Sequence, residues 1–150
     1  MPLSGHRILL LEDQAIIAFD LEASIREANG KVVAYAASVA RALKLVSTPG
    51  LSLAILDFRL GSEDSLPVAT RLHAAGVPFI FYTGNASIAR EIWPGVPILP
   101  KPVHPAILIS TLASIAIKRP SYVTAGVPVA RQKGNTAGKA NPSTFGGFTQ

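Results

Sequence analysis

The sequence predicts an α/β domain: an open parallel sheet of five strands, each followed by a helix, with helices on both faces. Three observations lead there. Short apolar runs alternate with segments of helical period up to residue 118. The runs are continuous rather than alternating, as in strands buried on both faces of a parallel sheet. The connections between them are short and punctuated by Gly and Pro, as repeated βα units require.

Taken in order, Arg7–Leu11 is a first strand, apolar until it meets Glu12-Asp13. Residues 14–29 carry Ile17, Leu21, Ile25 and Ala28 at helical spacing, with Gly30 where a helix C-cap belongs. Val32–Tyr35 makes a short second strand. Ser38 caps a helix through Val46, which Thr48-Pro49-Gly50 stops. Leu51–Asp57 is a third strand, again apolar until its closing acid. Ser65 lies near the start of a third helix, with Pro67 in its first turn and Ala75-Gly76 at its end. Val77–Thr83 is a fourth strand rich in aromatic residues, and a short helix follows over Ala86–Trp93. Val96–Leu99 is the fifth strand, and Pro105 opens a last helix to about Lys118. No internal repeat is visible.

Composition narrows the function classes. The chain has 150 residues, 49% apolar and 15% charged, without cysteine. That length fits one domain with a core large enough to stand without staples. Absent cysteine excludes a disulfide scaffold, an iron–sulfur protein and a Cys-based zinc site. The net charge of +5 comes entirely from Lys118, Arg119, Arg131, Lys133 and Lys139, in a segment with no acid. Residues 119–150 are also rich in Gly, Pro, Ser and Thr, so a basic mobile tail is expected beyond a domain spanning 1–118. The basic balance therefore predicts no folded nucleic-acid-binding face. The uncharged stretches Leu72–Ala89 and Pro102–Ile117 are broken by turn residues or too short and polar to cross a bilayer. The N-terminus lacks the pattern of a signal peptide, so a cytoplasmic protein is expected.

Ligands of such sheets gather at the carboxyl ends of the strands. Here strand one ends in Glu12-Asp13, strand three in Asp57, and strand four in Thr83-Gly84, while Lys101-Pro102 follows strand five. Each has an ordinary alternative: an acidic helix start, a turn former, a turn, a solvated lysine. Their convergence on one edge argues for a site. Three carboxylates suit Mg²⁺, which takes oxygen ligands and keeps several waters. Lys101 supplies a fixed positive charge for phosphoryl oxygens, Thr83 a hydrogen bond, and Asp57 a carboxylate nucleophile toward phosphorus. His6, His73 and His104 lack partners at metal-ligand spacing and are expected at the surface or at caps. Trp93 and the aromatic residues of strand four are expected to fill the core.

This set of residues resembles the receiver domain of bacterial two-component response regulators. The resemblance covers about residues 5–118, through LLLEDQ for the acidic pair, LAILDFRL for the phosphoacceptor, FYTGN for the hydroxyl and LPKP for the lysine. It implies a CheY-like, flavodoxin-like (βα)5 fold, doubly wound, with strand order 2-1-3-4-5. Asp57 would accept a phosphoryl group from a kinase phosphohistidine, and self-dephosphorylation would follow. Asp13, Asp57 and the Arg59 backbone carbonyl would ligate Mg²⁺, with Glu12 acting through water. The backbone N–H groups of Phe58 and Gly84 would receive phosphoryl oxygens, and the Lys101–Pro102 bond would be cis. Arg59 and Asn85 lie two residues beyond Asp57 and Thr83, where side chains either flank the path of an attacking water or simply face solvent.

One position departs from the pattern. Receivers usually carry Phe or Tyr three residues before the lysine, and here Ile98 stands there. The FYTGN segment is similar to the Phe-Ala-Thr-Gly branch of single-domain receivers, which also lack the aromatic switch. The resemblance implies a histidine kinase as phosphodonor and a downstream regulator protein as output. The other reading is an adaptor or kinase inhibitor that works regardless of phosphorylation. A haloacid-dehalogenase-like phosphatase would want a second Asp where Arg59 sits, and a nucleotide-binding fold a Gly-rich loop where Glu12-Asp13-Gln14 sits. A DNA-reading domain is not expected in the residues after Lys118. The helix over 105–118 is expected to turn Leu108, Leu112 and Ile115 to the sheet and to expose Ile107 and Ile117. With the short helix before it and the strand around Ile98, it would form a partner or homodimer surface.

Overall fold

The computed structural model describes residues 1–117; the tail expected over 119–150 lies outside the described residues. In chain order the elements are β1 (Arg7–Leu11), α1 (Ala15–Glu27), β2 (Lys31–Ala36), α2 (Val39–Leu45), β3 (Leu53–Leu56), β4 (Arg59–Leu60) and β5 (Glu63–Asp64). There follow α3 (Leu66–Ala74), β6 (Phe79–Thr83), α4 (Ala86–Ile92), β7 (Ile98–Pro100) and α5 (Pro105–Ile117). Five strands pair in parallel in the order β2-β1-β3-β6-β7. Apart from the small β4–β5 pair, this is the expected 2-1-3-4-5 order.

The apolar runs become strands because both their faces are covered. Leu9, Leu11, Leu56, Phe79 and Phe81 point to one side, in a core shared with Val39, Leu72 and Trp93. Ile8, Leu10, Ile55, Ile80 and Tyr82 point to the other, against Leu21 and Ile25 of α1 and Leu108, Leu112 and Ile115 of α5. Each such side chain contributes about 1.5–3 kcal/mol on burial, so a register slip would expose a whole row. The face of α5 is as its periodicity predicts, and Ile107 and Ile117 stay exposed.

Local differences have local causes. The segment after Asp57 is not a plain loop: β4 and β5 form an antiparallel pair, Arg59 opposite Asp64. Two-residue strands are too short to leave a periodic signal. The last strand begins at Ile98 rather than Val96, because Pro97 has no N–H for the ladder and serves only through its carbonyl, which accepts from Phe81. At the end of α1 the left-handed residue is Asn29, with φ 69°, and not Gly30. Gly30 is needed for another reason: a Cβ there would lie 2.9 Å from Ile25 Cγ2 and 3.0 Å from Leu3 Cβ. Ser38 caps α2 by accepting from the Arg41 N–H at 3.2 Å. At α3 the acceptor is Asp64 Oδ1, 3.0 Å from the Leu66 nitrogen, and the Ser65 side chain makes no cap bond.

The histidines keep structural posts. His104 Nδ1 accepts from the Ala106 N–H at the start of α5, His6 meets Ser52, and His73 packs edge-on against Trp93. Trp93 is buried in the core. Among the described residues no helix is long and apolar enough to cross a membrane.

Candidate functional site

β1 and β3 are in register with Leu11 opposite Leu56, so the next residues, Glu12 and Asp57, emerge side by side at the carboxyl edge. The ladder runs on: the Asp57 N–H donates to the Leu11 carbonyl at 2.9 Å and the Glu12 N–H to that of Ala36 at 3.0 Å. Lys101 arrives from across the sheet, its N–H bonded to the Thr83 carbonyl at 3.1 Å. Its Nζ donates to Glu12 Oε1 at 2.7 Å and to Asp57 Oδ2 at 2.8 Å. Glu12 is 1% exposed and Asp57 6%, so this three-residue ion pair is largely withdrawn from water. Asp13 stays exposed, yet one carboxylate oxygen from each of Glu12, Asp13 and Asp57 lies within 4.8 Å of the others.

Electrostatics follow from that packing. Burial pushes the Glu12 carboxyl above the ordinary carboxylate range, and the hydrogen bonds from Lys101 and the Gln14 N–H offset only part of this. Burial alone would lower the Lys101 ammonium, but its bonds to Asp57 and Glu12 outweigh that and hold it above the usual lysine value. One ammonium faces three carboxylates. The all-oxygen donor set, with Asp13 open to water, fits a small hard dication that keeps part of its hydration.

The remaining expected residues share this edge. Thr83 is buried, and its Oγ1 accepts the Asn85 N–H at 3.1 Å, so the hydroxyl hydrogen is left to be donated elsewhere. A Cβ on Gly84 would meet nothing within 4 Å, leaving its backbone approachable. Phe58 is buried with its ring edge-on to Phe81, and Arg59 is exposed on β4. The Lys101–Pro102 peptide bond is cis.

Two contributors escape a reading by strand ends alone. The Tyr35 hydroxyl donates to the Glu12 carbonyl at 2.8 Å, pinning the backbone of the acidic pair from β2. The Lys101 Nζ stands 5.7 Å from the centre of the Tyr82 ring, a cation–π contact of about 0.5–1 kcal/mol. Phe79 and Phe81 fill one core as expected, and Tyr82, of opposite parity, is buried in the other while it also borders the cleft beside Lys101. The signal was its parity with Ile80.

Neither the protein-family models nor the curated proteins give a match. Solved structures do. A response regulator receiver protein from Sinorhizobium medicae WSM419 is 26% identical over 77% of this chain and 97% of that one, with a TM-score of 0.69. SdrG from Sphingomonas melonis Fr1 is 32% identical over 78% of this chain and 98% of its own, with a TM-score of 0.66. The REC domain of the response regulator PhyR from Erythrobacter litoralis shares the fold at 21% identity, covering 76% and 91%, with a TM-score of 0.64. With fold, edge chemistry and these likenesses together, the chain belongs to the CheY-like receiver domains of response regulators.

Proposed function

We propose that Asp57 accepts a phosphoryl group from the phosphohistidine of a histidine kinase, in a Mg²⁺-dependent step, and that the chain signals onward by protein contact. The observation that carries this reading is the meeting of buried Glu12 and Asp57 with Lys101 beside Asp13. Like charges gathered this closely cost stability, a cost that a bound dication would offset.

In the transfer, an Asp57 carboxylate oxygen attacks phosphorus in line with the leaving imidazole nitrogen. The phosphorus–nitrogen bond breaks, its electron pair returns to the ring, and an acyl phosphate forms. Lys101, already bonded to Asp57 Oδ2, holds one phosphoryl oxygen. The Thr83 hydroxyl and the N–H groups of Phe58 and Gly84 receive the others. Asp13, Asp57, the Arg59 carbonyl and, through water, Glu12 would hold Mg²⁺, whose part is to offset charge on the phosphoryl oxygens. Water entering between Arg59 and Asn85 hydrolyses the acyl phosphate and resets Asp57. With Ile98 half-buried where receivers usually carry an aromatic ring, the output does not rest on a ring swinging inward. The partner or dimer surface of this reading joins α4, β7 and α5, where Ile88 and Ile107 are 38% and 49% exposed.

The test is chemical. With Mg²⁺ and acetyl phosphate as donor, the chain should gain one phosphoryl group, labile in base, and Asp57→Ala should gain none. A chain that is never phosphorylated, yet binds a histidine kinase equally well as Asp57→Ala, would be an adaptor instead.

A further inference from the structure

The β1–β2 register ends with Leu11 opposite Ala36, and the Glu12 N–H still reaches the Ala36 carbonyl at 3.0 Å. Beyond that bond the two strands part. The Glu12 carbonyl is held by a side chain instead, the Tyr35 hydroxyl, which donates to it at 2.8 Å. With the Gln14 N–H on Oε2 at 3.1 Å and Lys101 Nζ on Oε1 at 2.7 Å, every polar group of Glu12 is bonded. Asp13 differs. Its carboxylate is exposed and bonded to no described residue, yet one of its oxygens lies within 4.8 Å of oxygens of Glu12 and Asp57.

What directs Asp13 is therefore its backbone. The Glu12 carbonyl belongs to the same planar unit as the Asp13 nitrogen and Cα. A bond at that oxygen fixes the plane from which the Asp13 side chain starts. Tyr35 makes that bond from the edge strand of the sheet. Burial, and then the charges of Glu12 and Asp13, push the phenol above its ordinary value, so the hydroxyl keeps its proton and stays a donor.

We propose that Tyr35 is a positioning residue that, by fixing the Glu12–Asp13 peptide, makes the carboxyl edge favour Mg²⁺ over Ca²⁺. This rests on the reading of Glu12, Asp13 and Asp57 as a dication site. The physical reason lies in what each ion tolerates: Mg²⁺ demands short, near-octahedral oxygen contacts, whereas Ca²⁺ accepts longer and irregular ones. An Asp13 free to swing with its peptide plane satisfies Ca²⁺ nearly as well as a fixed one, and Mg²⁺ less well. Selectivity thus enters through a hydroxyl that touches neither ion.

The test compares Tyr35→Phe with the native full chain in separate Mg²⁺ and Ca²⁺ titrations, read from the amide shifts of Asp13, Phe58 and Arg59. Tyr35 is 42% exposed, so the variant keeps its ring and its fold and loses only the hydroxyl. Mg²⁺ affinity should fall about tenfold, the low end for partners outside the ligand shell, and Ca²⁺ affinity by no more than about twofold. Ser52→Ala, which loses hydrogen bonds at the opposite end of the sheet, should leave the ratio of the two affinities unchanged. That separates ordering of the site from general loss of stability. An equal loss for both ions in Tyr35→Phe, or no loss, overturns the role of Tyr35 and leaves the dication site standing. A native chain that binds neither ion overturns both.

Discussion

The two ends of the same sheet are built on opposite principles. At the amino end, polar groups close on one another with no carboxylate among them. Ser52 Oγ accepts from the Arg7 N–H at 3.0 Å and meets His6 Nδ1 at 3.0 Å, while the Arg7 guanidinium donates to the Pro49 carbonyl at 3.1 and 3.2 Å. Leu3 plugs the end from below, fully buried. At the carboxyl end, two buried carboxylates share one ammonium and a third stands beside them. The first arrangement ties loops at little electrostatic cost. The second is held against stability. Since both ends rest on the same strands, the difference lies in the charge that each end gathers.

The largest effect should come from Lys101→Met. Glu12 and Asp57 would then face each other without the cation that now touches both, at a cost of about 3 kcal/mol near neutral pH in denaturant unfolding. Lowering the pH should recover part of it, because the folded state would then hold protons that the unfolded state releases. A cost no larger than that of an ordinary surface change would break the contrast between the ends.

Ser52→Ala should come next, at about 1–2 kcal/mol for the lost hydrogen bonds. Mg²⁺ affinity should not change, since the amino end takes no part in the site. Glu12→Gln should act in the opposite sense. Because burial raises the folded carboxyl above its unfolded value, the folded state binds the proton more readily, and stability falls as pH rises through that window. Removing the charge should therefore raise the unfolding midpoint of the metal-free chain modestly while weakening Mg²⁺ binding. The smallest effect on stability belongs to Ile107→Glu, within about 0.5 kcal/mol. Binding to the partner or second copy should still weaken in a titration.

Much of this was legible in the residues. Continuous apolar runs ending in Glu12-Asp13, Asp57 and Thr83 place the strand ends, and a parallel sheet brings those ends to one edge. What was not legible depends on contacts without period. The β4–β5 pair is two residues deep, and Gly30 is fixed by the nearness of Ile25 and Leu3 rather than by its own dihedral angle. Tyr35 reaches the Glu12 carbonyl from a neighbouring strand, so only the β1–β2 register reveals its part. Tyr82 reads as one more aromatic residue of a core strand until parity sets it opposite Phe81 and beside Lys101.

The central claim, that the carboxyl edge is a dication-dependent phosphoacceptor site on Asp57, is tested most directly by amide chemical shifts of the full chain. Mg²⁺ alone should move Asp13, Phe58 and Arg59. Beryllium fluoride, a mimic of aspartyl phosphate, should then move Thr83, Gly84 and Lys101, and Asp57→Ala should abolish this second response. Second-stage shifts that persist in Asp57→Ala, or none in the native chain with Mg²⁺ present, would contradict the account.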